Sequence, residues 1–381
     1  MDAKRNTPVF LNHVADDAHA VKPLPRPTGV YPYRLNIRDV LDEGSSLSEE
    51  AMRFHMVGDT GSLRHSAFQS RIAAALARQV DEYPAGPETP SFLFHLGDVV
   101  YNHGEAKEYP KQFFAPYESY RAPIFAIAGN HDGDINPDSE LIYQSLDTFM
   151  DVFCDSRRRR ILFSGGSQRL SMVQPHVYWT LETPLAHFIG LYSNVTKHGH
   201  IDAEQAEWFV DELRNADQYR PDKAVIVCLH HAPYSADTNH GSSQAMITFL
   251  ENAFAVAHVK PDIVFSGHVH NYQRFTKTYE DGSTVPFVVA GAGGYADLHP
   301  IAMAGDTRVT DVDLGVHPVR LANFCDDRFG FLNLSIRRNE EGLLLEGAYY
   351  TMDRDLDQPV SQCNPTLFER FVIPLHALTT T

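Results

Sequence analysis

Cysteine is scarce in this chain: Cys154, Cys228, Cys325 and Cys363 are its four, far apart, with no C-x-x-C pair. Such spacing excludes a disulfide framework or zinc knuckle and reads as reduced thiols in a cytoplasmic protein. Long apolar runs are missing as well. No apolar stretch follows Met1-Asp2-Ala3-Lys4-Arg5, which predicts no signal peptide, and no segment is long enough to cross a bilayer. Basic charge is in deficit, with 32 Lys+Arg against 49 Asp+Glu and a formal net charge of -17. Phosphate backbones are bound mainly through Lys and Arg, so this balance argues against a general nucleic-acid binder, and no basic groove is readable. The one dense basic run, Arg157–Arg160, reads as a solvated surface stretch. Internal repeats and low-complexity tracts are absent.

What is present fits one large α/β domain with extensions, or two modest ones, in 381 residues of which 43% are hydrophobic. Residues 1–50 are polar, Pro-rich around Lys22–Tyr33 and without period, and read as an extended arm packing on the main domain or partly disordered. Over 51–352, strand-like apolar runs alternate with amphipathic helices. A helix is expected to open near His65, with Phe68, Ile72, Leu76 and Val80 as its core stripe, and others over Glu140–Phe153, Ala203–Asn215 and Ser243–Val259. The clearest is Ala203–Asn215, where Asp202 caps the free amides, Gln205 reaches back, and Ala206, Phe209, Val210 and Leu213 share a face. Strands are expected at Val285–Ala290, Gly330–Ile336 and Leu343–Met352, the last two as a hairpin across Arg338–Gly342. Residues 295–328 lack a period and carry His299, Pro300, His317 and Pro318; they read as a long loop and possible lid. Residues 353–381 read as a C-terminal tail.

Five short polar clusters stand out: GDTG at Gly58–Gly61, GDVVY at Gly97–Tyr101, GNHD at Gly129–Asp132, VCLH at Val227–His230 and GHVH at Gly267–His270. Each follows or ends a short apolar run, so each offers polar groups where a buried strand leaves the core. Asp59 and Asp98 are hard oxygen donors, and a carboxylate can bridge two cations. Asn130 offers an amide oxygen, and His230, His268 and His270 offer imidazole nitrogens suited to zinc, iron or manganese. In an extended His-x-His, residues of like parity share a face, so His268 and His270 can enter one cavity. A Gly-Asp pair after a strand is by itself commonly only a turn, and a single His-x-His says little. All five clusters in this order are far more specific and predict a dinuclear metal site.

These clusters resemble the metallophosphoesterase (calcineurin-like) superfamily, and more closely its purple acid phosphatase branch. Most of the superfamily carries Asp-x-His in the first cluster, whereas this chain has Asp59-Thr60-Gly61; Tyr101, three residues after Asp98, supplies the phenolate of the purple branch. The resemblance runs from Phe54 to Tyr350. It implies a four-layer α-β-β-α sandwich with two mixed β-sheets and a dinuclear site at the strand ends. It further implies one metal on Asp59, Tyr101 and His270, a second on Asn130, His230 and His268, and Asp98 bridging. The first would be ferric iron and the second zinc, iron or manganese. His131, next to Asn130, corresponds to a residue that contacts the phosphoryl group. His240, ten residues beyond His230, corresponds to one that binds substrate or protonates the leaving group. His103, His198, His200 and His231 read as supporting or loop residues.

The implied reaction is attack of a metal-bound hydroxide on the phosphorus of a small-molecule phosphate ester, with monoesters ahead of diesters such as cyclic nucleotides. A metal-binding scaffold without catalysis is the competing reading. No membrane partner is expected, and the first fifty residues are too short for the additional N-terminal β-sandwich of the plant members.

Overall fold

Apolar runs that lead into the polar clusters become strands buried along most of their length, as parallel strands covered on both faces must be. In the computed structural model the described residues are all but 1–3, 15, 42–46, 65, 84–85, 311–317, 354–358, 361–362 and 378–381. His65, at the expected opening of the first helix, and His317 of the long loop lie outside them. The strands are β1 (Phe10–Leu11), β2 (Arg34–Asn36), β3 (Ala51–Val57), β4 (Pro90–His95), β5 (Ile124–Ala126), β6 (Trp179–Glu182), β7 (Ala186–Gly190) and β8 (Ala224–Leu229). They continue with β9 (Ile263–Ser266), β10 (Tyr272–Thr278), β11 (Thr284–Ala290), β12 (Val309–Thr310), β13 (Val319–Cys325), β14 (Gly330–Asn339), β15 (Gly342–Thr351) and β16 (Thr366–Ala377). The α-helices are α1 (Ser66–Glu82), α2 (Asn130–Gly133), α3 (Asp147–Phe153), α4 (Ala203–Asp217) and α5 (Gln244–Ala257). None is long and apolar enough to cross a membrane.

Two mixed sheets result. The larger has eight strands in the order β13-β10-β11-β9-β8-β7-β6-β2, and the smaller has six in the order β16-β15-β14-β3-β4-β5. Aromatic rings interdigitate between them. Phe188 of β7 meets Phe54 of β3 edge-on at 5.1 Å and Phe92 of β4 at 5.5 Å, while Phe94 stacks on Trp179 at 6.2 Å. Such rings carry much of a core's buried area and fix the sheets' spacing. Helix α4 lies on β7 and β8 with α5 beside it, and α1 lies on the smaller sheet, where Gln79 meets His55 at 3.0 Å. The layers are therefore helix, sheet, sheet, helix.

Within this frame β3, β4 and β5 run parallel, and so do β7, β8, β9 and β11. All five polar clusters leave the carboxyl ends of β3, β4, β5, β8 and β9, the usual place for a site in an α/β sheet.

Several segments differ from their sequence patterns. In Glu140–Phe153 only Asp147–Phe153 is helical. The stretch before it is held by side chains: Asn136 accepts from Asp138 N–H at 2.9 Å, and Tyr143 Oη accepts from Asn136 N–H and donates to the His103 carbonyl. Such local bonds compete with a helical ladder. The 295–328 stretch holds β12, which pairs with β1 of the N-terminal arm, and β13, which forms an edge of the larger sheet. The arm also supplies β2 at the opposite edge, and Trp208 Nε1 donates to its Pro32 carbonyl at 2.6 Å. The 353–381 stretch contains β16, which pairs with β15; Pro374 is tolerated because β16 is an edge strand.

Candidate metal centre

The turns that carry the clusters are strained. Asp59, Asp98 and His268 hold left-handed backbone, with φ of 58°, 53° and 66°. Non-glycine residues adopt this region only where their surroundings enforce it, and such residues gather at functional sites. Neighbouring glycines make the close approach possible. A Cβ on Gly129 would lie 2.1 Å from Asp98 Oδ1, and one on Gly267 or Gly291 would lie 2.6 or 2.7 Å from Asp59 Oδ2. The Asp132 carboxylate ties two turns together by accepting the backbone N–H groups of Val99, Val100 and Gly129 at 2.9–3.2 Å.

The seven predicted donors meet in one buried cluster, and they fall into two sets. Tyr101 Oη lies 3.3 Å from Asp59 Oδ1 and 3.2 Å from His270 Nε2, which is itself 3.5 Å from Asp59 Oδ1. Asn130 Oδ1 lies 3.1 Å from His230 Nε2 and 3.0 Å from His268 Nδ1. Asp98 links the sets, with Oδ2 3.4 Å from His230 Nε2, and donor atoms of Asp59, Asp98 and His230 lie within 4.8 Å of one another.

The imidazoles are oriented from behind. His230 Nδ1 donates to the Leu96 carbonyl at 2.8 Å and His270 Nδ1 to the Asp297 carbonyl at 3.0 Å, which turns both Nε2 atoms toward the carboxylates. A metal-binding histidine usually has such a partner on its other nitrogen. The electrostatics of the cluster suit a cation. Burial lowers the His230 pKa, but Asp98 and Asp59 outweigh it and push it up to about 9. Burial works to raise Asp98, yet His230 and His131 hold its carboxyl well below the carboxylate range. Burial and then the Asp98 and Asp59 charges push the Tyr101 phenol far up, so a phenolate here needs a cation. His268 is pushed far down by burial and by His240, and its Nε2 has no partner. The donor types and glycine cradles fit metal ions, the class of cofactor predicted from the sequence.

Gly61 explains the departure in the first cluster. A side chain there would come within 2.6 Å of the Val99 carbonyl and of Gln112 Oε1, and within 3.1 Å of the Tyr101 ring. Gln112 clamps the Tyr101 backbone, accepting its N–H at 2.9 Å and donating to its carbonyl at 2.7 Å.

A cavity of about 410 Å³ opens over the cluster, and Asp98, Asn130, His268 and His270 are among its lining residues. His131 and His240 line it as well. The His131 ring lies 4.4 Å from that of Tyr101, with Nδ1 donating to the Asn102 carbonyl at 2.8 Å. His240 sits 4.0 Å from the His268 ring, its backbone N–H held by Asp237 Oδ2 at 3.0 Å. His231 is buried beneath, with Nδ1 2.7 Å from Ser193 Oγ, and His103 pairs with Asp134 at 3.1 Å. Tyr295, Asp297 and His299 also line the cavity and carried no site signal in the sequence beyond their place in a long loop. Gln112 had none either, because it lies in an aromatic-rich segment without a motif.

The calcineurin-like phosphoesterase family model matches residues 52–272. Purple acid phosphatase 21 of Arabidopsis thaliana is 30% identical over 128 residues, covering 32% of this chain and 28% of that protein. Purple acid phosphatase 1 of Ipomoea batatas is 31% identical over 191 residues, covering 48% and 36%. The chain thus spans well under two thirds of the length of these relatives. Among solved structures PhoD shares the fold, with a TM-score of 0.52 at 12% identity over 90% of this chain and 74% of that one.

Proposed function

The chain belongs to the calcineurin-like phosphoesterase family, whose model covers more than half of it, and we propose that it is a dinuclear metal-dependent phosphomonoesterase of the purple acid phosphatase type. The observation that carries this reading is the division of seven donor side chains into two sets about Asp98. Asp59, Tyr101 and His270 would hold one ion, Asn130, His230 and His268 the other, with Asp98 between them. Ferric iron in the first set and zinc, iron or manganese in the second suit a phenol beside a carboxylate and an imidazole–amide set. When bound, the ions supply Lewis acidity, neutralising phosphoryl charge and making water a usable nucleophile.

The chain's own groups do the rest. Asp98 and Asp59 set the spacing of the site, and the left-handed turns hold them there. His131 has Nδ1 committed to Asn102, so Nε2 is the nitrogen available to a phosphoryl oxygen. His240, which lines the same cavity beside His268, would give a proton to the departing alkoxide. Monoesters rank first because the curated relatives are acid phosphatases by name. Four buried cysteines, far apart in the sequence, support a reducing, cytoplasmic setting.

Elemental analysis joined to parallel assays of an aryl phosphate monoester and diester across pH tests this reading. About two metal ions per chain and faster monoester turnover are expected. A diester preference would make the enzyme a phosphodiesterase. Metal-replete protein that hydrolyses neither ester would leave a metal-binding scaffold.

A further inference from the structure

The segment after β11 wraps the ligand turns. Gly293 N–H donates to the Gly58 carbonyl, Tyr295 N–H to that of Asp59 and His299 N–H to that of His270, at 3.0–3.1 Å. His299 is buried against the centre. Its ring stacks on His270 at 4.2 Å and 22°, and lies 4.9 Å from the His240 ring. The His270 backbone N–H donates to His299 Nδ1 at 3.2 Å. A neutral imidazole that accepts at Nδ1 carries its proton on Nε2. The Asp237 carboxylate, 3.7 Å from His299 Nδ1, lies beyond hydrogen-bond reach and is engaged by Ser235, Asn239, His240 and Gly241. His299 thus lines the cavity beside His240 as a neutral imidazole whose tautomer a backbone amide fixes.

We propose that His299 contacts the substrate, its Nε2–H donating a hydrogen bond to the departing alcohol oxygen next to the proton donor His240. The proposal rests on the phosphoesterase reading. His299 keeps its proton throughout and stabilises charge as the P–O bond breaks. An alkoxide needs that help, whereas a nitrophenolate departs with little.

The test compares kcat/KM for β-glycerophosphate and 4-nitrophenyl phosphate in the metal-loaded wild type, His299→Asn and His299→Gln, with metal content measured in each. Asparagine keeps an acceptor near Nδ1 but nothing near Nε2. His299→Asn is expected to keep its metals and lose about tenfold or more on glycerophosphate, against less than about threefold on the nitrophenyl ester. Glutamine, with an N–H near Nε2, is expected to restore most glycerophosphate turnover. Equal losses on both esters, no loss on either, or loss of metal would overturn the role. If His299→Asn does not fold, His299→Ala takes its place against the same outcomes, and a loss of about tenfold on glycerophosphate in His299→Gln overturns the contact. A metal-replete wild type inactive on both esters sinks the phosphoesterase reading itself, an outcome distinct from an active wild type with an unaffected variant.

Discussion

A glycine in place of the usual histidine makes room for a phenol. The space a Gly61 side chain would need is occupied by Gln112, the Val99 carbonyl and Tyr101. If Tyr101 ligates ferric iron, the purified protein absorbs visible light through phenolate-to-iron charge transfer. Tyr101→Phe should then abolish that band; a colourless wild type with full activity would refute the iron assignment. Asp98 carries the link between the two donor sets. Asp98→Asn should lose metal and hydrolysis together, measured by elemental analysis and turnover, and a fully active variant would sink the bridging role. Gly129 has an ordinary backbone but no space, since its Cβ would sit 2.1 Å from Asp98 Oδ1. Gly129→Ala should therefore reduce turnover by about a hundredfold (~2.7 kcal/mol at ~1.36 per decade). Its effect on stability should stay within the ~1–3 kcal/mol of local overpacking. Circular-dichroism melts set against kinetics separate the two effects.

Helix α4 is an element written locally. Asp202 accepts from Gln205 N–H at 2.8 Å, and Trp208, Phe209 and Leu213 are buried on one face. Asp202→Ala should cost about 0.5–2 kcal/mol in urea unfolding and leave turnover unchanged, because the cap lies outside the site. The Asp202 cap and the burial of Phe209 and Leu213 were legible in the sequence, whereas Gln205, expected to reach back to the cap, bonds the Tyr192 backbone instead, and Ala206 and Val210 are only half-buried. Of the helix expected over Glu140–Phe153 only the second half forms, as α3, because the Asn136 and Tyr143 bonds that hold the stretch before it in a loop connect residues with no pattern of their own. Strand β16 was missed for another reason. Its alternation of buried Phe371 and Leu375 with exposed Val372 is broken by Pro374, and only its pairing with β15 shows that proline to be on an edge.

At the scale of the whole molecule, buried neutral histidines set a pH response. Burial lowers His55 to about 3, and His176 and His187 each to about 4, from an ordinary 6.5. The unfolded chain therefore binds more protons below pH 6.5, and stability falls as pH drops from 6.5 toward 4. Asp132, pushed up to about 7 by burial and by Asp98, works in the opposite sense. It is one group against three once cations fill the donor set. The urea midpoint should be lower at pH 4.5 than at 7.5; a flat profile would refute the response.

The sequence by itself determined the family and marked out seven candidate donors, because five short polar clusters each follow or end a strand-like run and all but VCLH carry a glycine. The tertiary structure alone decided what surrounds those donors. Gln112 reaches the Tyr101 backbone, and His299 lies against His270 and beside His240, only after the chain has closed on itself. No local period or motif encodes such contacts, which arise from sheet order and backbone geometry. Only there does Gly61 become a space reserved for Tyr101 rather than a lost ligand.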